Sequence, residues 1–271
     1  MKLISALPVI LLAGTLASCG GTTDPAAIEP AGTLTLVITD GPMEQAQEVI
    51  FHVTHVDMGH ADGSVTRLEL MSGPHDIDLM QLQNGMTHDL LDSASVPAGH
   101  FEWMELGIDL QQSHFGGQSG GQHGMTMGAG NPLRANAQFQ IMDGEHLEFV
   151  MDFDLRLGIQ QHEMGGMMGM EYQLQEGMHL MNIADAGGLS GAIDISLVDV
   201  NNPACDPAEG GNLAYLFDAA VAQPDDLAAT DTDGFDGPVA TDIVELHVGV
   251  GEYRYHFGFV PAGSYRVAFS C

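Results

Sequence analysis

The chain has 271 residues; 45% are apolar, enough for folded cores, and 37 are Asp or Glu against six Lys and Arg. Its formal net charge of −31 at pH 7 repels phosphate backbones and excludes nucleic-acid binding. Lys2 is the only lysine and five arginines follow it; such a surface suits a saline medium, where counterions screen self-repulsion, and also suits loose cation binding.

Lys2 precedes an apolar run from Leu3 to Leu16 that is broken only by small residues and Pro8. Leu16-Ala17-Ser18-Cys19 follows, with Gly20 and Gly21 behind it. A charged start, a short apolar core and small residues before a cut site make a secretory signal peptide. A cysteine at the cut itself makes a bacterial lipobox, in which the thiol takes a diacylglycerol. The apolar run falls short of the ~20 residues that cross a bilayer. The expectation is a signal peptide over residues 1–18 and a lipid anchor at Cys19 that holds the chain on the bacterial envelope. Gly20, rather than Asp, after the anchor favours the outer membrane. With Cys19 assigned to lipid, Cys205 and Cys271 are left to form a disulfide outside the cytoplasm. Residues 19–32 are small, polar and Pro-containing, the composition of a flexible tether.

Strands dominate the remainder. Leu34, Leu36 and Ile38 alternate with Thr33, Thr35 and Thr39, and Asp40-Gly41-Pro42 ends the run as a turn. Val49–Met58 closes at Ala61-Asp62-Gly63 as a hairpin; Val65–Met71, Asp76–Leu82 and a strand carrying Met104, Leu106, Ile108 and Leu110 follow. His146–Arg156 has the clearest period of two. Leu147, Phe149, Met151, Phe153 and Leu155 share its buried face, and Glu148, Asp152 and Asp154 lie on the other. Helix is expected only briefly, near Met43–Gln47 or Met86–Leu91. A boundary falls at Ala184–Gly188, beyond which Ile193/Ile195/Leu197, Tyr215/Phe217, Ile243–Val248, Tyr253–Phe259 and Tyr265–Phe269 continue the strand pattern. Val96-Pro97-Ala98-Gly99-His100-Phe101 and Val260-Pro261-Ala262-Gly263-Ser264-Tyr265 repeat one device, a Pro-Ala-Gly turn that launches a strand with an aromatic second residue. The expected fold is all-β: two β-sandwich domains, residues 33–186 and 187–271.

Leu34-Thr35-Leu36-Val37-Ile38-Thr39-Asp40-Gly41-Pro42, Asp76-Ile77-Asp78-Leu79 with Val96-Pro97-Ala98-Gly99, and Asp152-Phe153-Asp154-Leu155-Arg156 resemble the bacterial lipoproteins of the domain-of-unknown-function-4382 family, over about Gly32 to Asp185. The resemblance implies a secreted or anchored β-rich domain and brings no catalytic residues with it. Residues 189–271 look like the small prealbumin-like sandwiches similar to carboxypeptidase regulatory domains, on the strength of Val260 to Val267.

Two Met/His/Gly-rich insertions depart from that pattern. The first holds His114, His123, Met125 and Met127; the second holds His162, Met164, Met167, Met168 and Met170, followed by Met178, His179 and Met181. Thioether sulfur suits Cu(I), imidazole serves either copper state, and glycine lets a loop wrap an ion. Copper binding is therefore the alternative to an apolar, low-complexity filler role. His52, His55 and His60 are expected to be separate surface histidines, because an odd spacing sends two of them to opposite faces. Asp231-Thr232-Asp233-Gly234-Phe235-Asp236-Gly237 has calcium-loop composition, but Asp242 stands where an EF-hand needs Glu, so a solvated acidic turn is the expectation. No Gly-x-Ser-x-Gly elbow and no His-Glu-x-x-His occurs. The sequence thus points to a non-enzymatic, envelope-anchored protein with β-sandwich domains for binding or structural work, without an assured cofactor, whose partners are the membrane and an envelope or extracellular component. Copper binding is the alternative, and a hydrolytic enzyme the remoter one.

Overall fold

Strand β1 (Ala31–Gly41) buries Leu34, Leu36 and Ile38 completely on one face, as its period of two dictates. The computed structural model describes residues 30–41, 43, 46–117, 120–130, 133–163, 170–198, 212–222, 224 and 237–270. Cys19, Cys205, Cys271, Met164, Met167, Met168 and the acidic run Asp231, Asp233 and Asp236 lie outside the described residues.

The chain continues through β2 (Ala46–His60), β3 (Val65–Glu69), β4 (His75–Asp78), β5 (His88–Pro97), β6 (Gly99–Ile108), β7 (His114–Gly117), β8 (Gln122–Met127) and β9 (Arg134–Ile141). β10 (His146–Asp154), the single-turn helix α1 (Leu155–Gly158), β11 (Ile159–Glu163), β12 (Met170–Leu174) and β13 (Met178–Asn182) follow. One sheet has the order β13-β10-β1-β5; the other runs β11-β12-β8-β7-β2-β6-β9, with β3 and β4 also paired to β2. β1 and β10, far apart in sequence, pair in parallel. A single apolar core contains residues of both sheets, from Leu34 to Met178. Rings from the two sheets meet in it, with the Phe51 and Phe153 centroids 5.3 Å apart. The chain is all-β, and two sheets sharing one apolar core make a sandwich.

Beyond it lie β14 (Ala186–Ile193), β15 (Leu213–Asp218), β16 (Ala240–Ile243), β17 (Glu245–His247), β18 (Glu252–Pro261) and β19 (Tyr265–Ser270). They form two three-stranded sheets, β14-β18-β17 and β16-β15-β19, with apolar clusters of their own around Phe257 and Phe217.

Both Pro-Ala-Gly turns move the chain between sheets. The first carries it from β5 in one sheet to β6 in the other, and the second carries it from β18 to β19 in the same way. Several local expectations fail. Met86–Leu91 is not helical; β5 starts at His88 and pairs with β1. Its adjacent Leu90 and Leu91 are both buried because the β1–β5 pairing shifts register near Leu36, and Ser93 takes φ +48°. That bulge breaks the period of two by which sequence identifies a strand. β2 already begins at Ala46, inside the other helical expectation. β4 stops at Asp78, whose side chain accepts from Met80 N–H and starts a 3-10 turn, Leu79–Gln81. Ile195–Leu197 is likewise a 3-10 turn, capped by Asp194. Asp40 and Gly41 belong to β1 rather than to a turn, and Ala31 and Gly32 to β1 rather than to a tether.

Candidate functional site

The parallel register of β1 and β10 sets Thr39 beside Asp152, Asp40 beside Phe153 and Gly41 beside Asp154. Phe149, Met151 and Phe153 turn into the core, so Asp152 and Asp154 occupy the opposite face of the sheet. There Asp152 stands opposite His179 of β13. The expectation of a solvated face fails at this end of the strand. Val239, Ala240, Thr241 and Asp242 around β16, and His256 to Phe259 of β18, cover it. What remains is a polar cavity of about 40 Å³, room for an ion and a few waters but not for an organic ligand.

The C-terminal unit is held there by close backbone approach. A Cβ placed on Gly258 would stand 2.9 Å from the Cα of Gly85, and Gly85 itself takes φ +74°. The Thr39 hydroxyl ties the neighbouring loop to β1 through Leu82 O and Met86 O, at 3.1 and 2.8 Å. Arg156 of α1 reaches across to Tyr215 of β15, donating to its hydroxyl at 3.1 Å with the guanidinium 5.3 Å from the ring centre. Phe259, a cavity residue, takes φ +50°, strained for an aromatic side chain.

Four carboxyl groups line this cavity and all are pushed toward the protonated form. Asp40, 6% exposed, lies well above the usual carboxylate range because of its burial and then the like charges of Asp152 and Asp154. Burial and the charge of Asp154 lift Asp152 to about 7. Burial raises Asp154 as well, against the opposing effect of Leu157 and Arg156 N–H, which donate to its Oδ1. Asp242 is lifted by burial to about 7 although His256 N–H donates to its Oδ2 at 2.6 Å. Asp40 Oδ1 accepts from Leu155 N–H at 3.3 Å, whereas Asp40 Oδ2, Asp152 Oδ1 and the Thr241 hydroxyl are buried without a partner among the described residues. Buried polar atoms are rarely left unpaired.

The sequence missed this group. It placed Asp40 in a turn and Asp152 and Asp154 in solvent, and considered Asp242 only as an unsuitable calcium ligand. A signal existed in the carboxylates at the ends of two strong strand patterns, but only the parallel pairing makes those ends neighbours.

The Met/His residues fall into two groups. β8 pairs in parallel with β12, setting Met125 beside Tyr172 and Met127 beside Leu174, so the two insertions adjoin. The His123 ring lies 5.3 Å from that of Tyr172. His114 shares a hydrogen bond with Glu48 at 3.2 Å, and His162 is exposed on β11. Met125 and Met178 are core residues, 5% and 7% exposed. Met178, His179 and Met181 belong to β13 in the other sheet, and His179 lines the acidic cavity. Among the described residues no group of three or more His, Cys, Asp or Glu forms a ready metal-binding cluster. His52, His55 and His60 each meet a different partner: Asp76, Thr54 and Thr66.

A family model described as a domain of unknown function (DUF4382) matches residues 31–172, just over half of the chain. No curated protein and no solved structure matches it.

Proposed function

The chain belongs to the DUF4382 family, and we propose that it is a non-enzymatic lipoprotein, anchored at Cys19 on the bacterial envelope, outer-membrane sorted, whose β-sandwich units do binding or structural work. The observation that carries this reading is the Leu16-Ala17-Ser18-Cys19 lipobox behind a short apolar run. Support for a prealbumin-like second unit comes from the six strands β14 to β19 in two small sheets with their own apolar clusters. Cys205 and Cys271 are proposed to form a disulfide in this oxidising compartment. Fractionation tests the anchor: the Cys19→Ala chain should leave the membrane fraction and lose the mass of a diacylglycerol. Retention of that variant on membranes overturns the reading.

A second reading, copper binding, is favoured by the adjacency of β8 and β12. It would use His114, His123, Met127, His162, Met164, Met167, Met168 and Met170, the soft donors of the two insertions. Titration with Cu(I) against a competing chelator tests it. Equal affinity in a variant carrying Leu at Met164, Met167, Met168 and Met170 overturns it.

A further inference from the structure

Strand β14 is the outer strand of its sheet and pairs only with β18. In an antiparallel edge strand every second residue turns its N–H and C=O away from the ladder. Gly187, Gly188, Ser190 and Ala192 are exposed, and among the described residues no backbone group closes the outer side from Gly187 to Ile193. Such edges are ordinarily blunted by charge, proline or cover. Every other marginal strand among the described residues is protected in this way: β3, β4, β5, β9, β11, β16, β17 and β19 each contain Asp, Glu or Arg, and β13 packs against β9. Ala-Gly-Gly-Leu-Ser-Gly-Ala-Ile, the whole of β14, holds neither charge nor proline over eight residues. A groove of about 650 Å³ adjoins this edge, between β14 and the second Pro-Ala-Gly turn, with Leu189, Val260, Pro261 and Tyr265 in its wall. Tyr265 is fixed there by donating its hydroxyl to Pro261 O at 2.6 Å. Further along the strand the Tyr255 ring lies against Gly191, where an added Cβ would stand 2.4 Å from Tyr255 Cζ. Leu189, Gly191 and Ile193 share one face, since they are two residues apart, so an added strand would bring alternate side chains beside the groove and this ring.

Charge decides the occupant. Asp185 and Asp194, both exposed, bracket β14; at ~3.4 Å per residue they stand roughly 30 Å apart. A second copy, paired about a two-fold axis in the register that uses all of β14, would set Asp185 of one copy against Asp194 of the other at both ends. Like charges placed opposite each other are destabilising, and the net charge of −31 adds to the repulsion. A cation at each flank of an incoming strand turns the same two positions into attractions. We propose that β14 takes up an extended segment of a partner protein by strand addition. Main-chain hydrogen bonds form along the open edge, apolar side chains lie over the groove and Tyr255, and Lys or Arg face Asp185 and Asp194. This gives the binding role proposed above a surface and a class of partner; it rests on that role, but not on the anchor or on copper.

The probe is a fluorescein-labelled peptide, Lys-Thr-Val-Thr-Val-Thr-Val-Thr-Val-Lys, whose terminal lysines match the spacing of Asp185 and Asp194. Titrated with the purified full chain at low salt, it should show saturable binding by fluorescence anisotropy. Affinity should fall as NaCl is raised, because the flanking charges are exposed. The same peptide with terminal Glu in place of Lys should bind about tenfold more weakly. Asp185→Asn/Asp194→Asn should weaken the Lys peptide to a similar degree; Asn preserves the cap that Asp194 gives to Ser196 N–H. Ala192→Lys, a charge set on an exposed position of the edge, should abolish binding. Circular dichroism verifies that each variant is folded. Bound peptide should slow amide exchange in β14 more than in β19. Absence of saturable binding overturns the proposal, as does equal affinity of the Glu-ended peptide or of the folded Ala192→Lys chain. A dimer in sedimentation that Ala192→Lys dissolves also overturns it, since a second copy then holds the edge. None of these results bears on membrane retention of Cys19→Ala, which tests the anchor separately.

Discussion

Asp152 and His179 are direct cross-strand partners on β10 and β13, yet Asp152 Oδ1 accepts no hydrogen bond from the imidazole or from any other group among the described residues. An acid beside a histidine ordinarily forms an ion pair. Here burial and the neighbouring carboxylate of Asp154 act against charge, and the second unit closes over the group.

This arrangement sets a pH dependence. Asp40, Asp152, Asp154 and Asp242 hold protons more tightly when folded than at their ordinary value of 3.8, and for Asp152 and Asp242 the folded value is about 7. Between those limits the folded state binds more protons than the unfolded one, so stability is full below about pH 4 for these groups and is lost as pH rises through about 7. His179 and His256 line the same space, Arg156 acts on Asp154, and Glu245 acts on Asp242. A partly buried acid acts oppositely: Asp57, held low by its hydrogen bond from Arg67, contributes stability that disappears as pH falls through its lowered value. Without divalent cations, thermal denaturation should therefore show a maximum near pH 5 and a lower midpoint at pH 8, a difference on the order of a few kcal/mol. Asp152→Asn should flatten the pH 5 to pH 8 limb, and an undiminished slope would count against the assignment.

Gly258 and Gly85 are in near backbone contact. The Cβ of Gly258→Ala would meet the Gly85 Cα at 2.9 Å, a distance at which backbone must move. The expected cost in urea denaturation is about 1–3 kcal/mol, as for other overpacked sites. Gly237→Ala, with nothing within 4 Å of its added Cβ, should be close to neutral.

The methionines divide by burial. Met178→Ala and Met125→Ala remove side chains from the main core and should each cost about 2–4 kcal/mol. Met127→Ala, where the residue is 42% exposed, should cost well under 1 kcal/mol in the metal-free chain. Equal losses at all three positions would contradict this division.

Arg156 joins α1 to Tyr215 by a hydrogen bond and a cation–π contact. Arg156→Ala should destabilise the chain by about 1–2 kcal/mol and increase amide exchange in β15 and β16 more than in β6 and β9. Uniform exchange changes throughout the chain would argue against a role at this junction.

How far the sequence reaches is visible in β10 and β5. In β10 the alternation of Leu147, Phe149, Met151 and Phe153 gives the strand and its buried face, because side-chain direction in a strand is a local property. In β5 a register shift puts Leu90 and Leu91 in the core together, and a non-local pairing overrides the local pattern. The Leu16-Ala17-Ser18-Cys19 pattern, the all-β class and the paired Pro-Ala-Gly turns are likewise legible locally, although only the sheets show that both turns transfer the chain between layers.

The acidic cavity belongs wholly to the tertiary level. The sequence by itself determined that Asp152 and Asp154 point away from the first core, since period two allows no other face. It could not determine what covers that face. The parallel pairing of β1 with β10 brings in Asp40, and the packing of β16 and β18 removes the water that would have solvated the charges. Charge on a strand is surface charge until another sheet closes over it, and desolvation depends on contacts between segments distant in the chain.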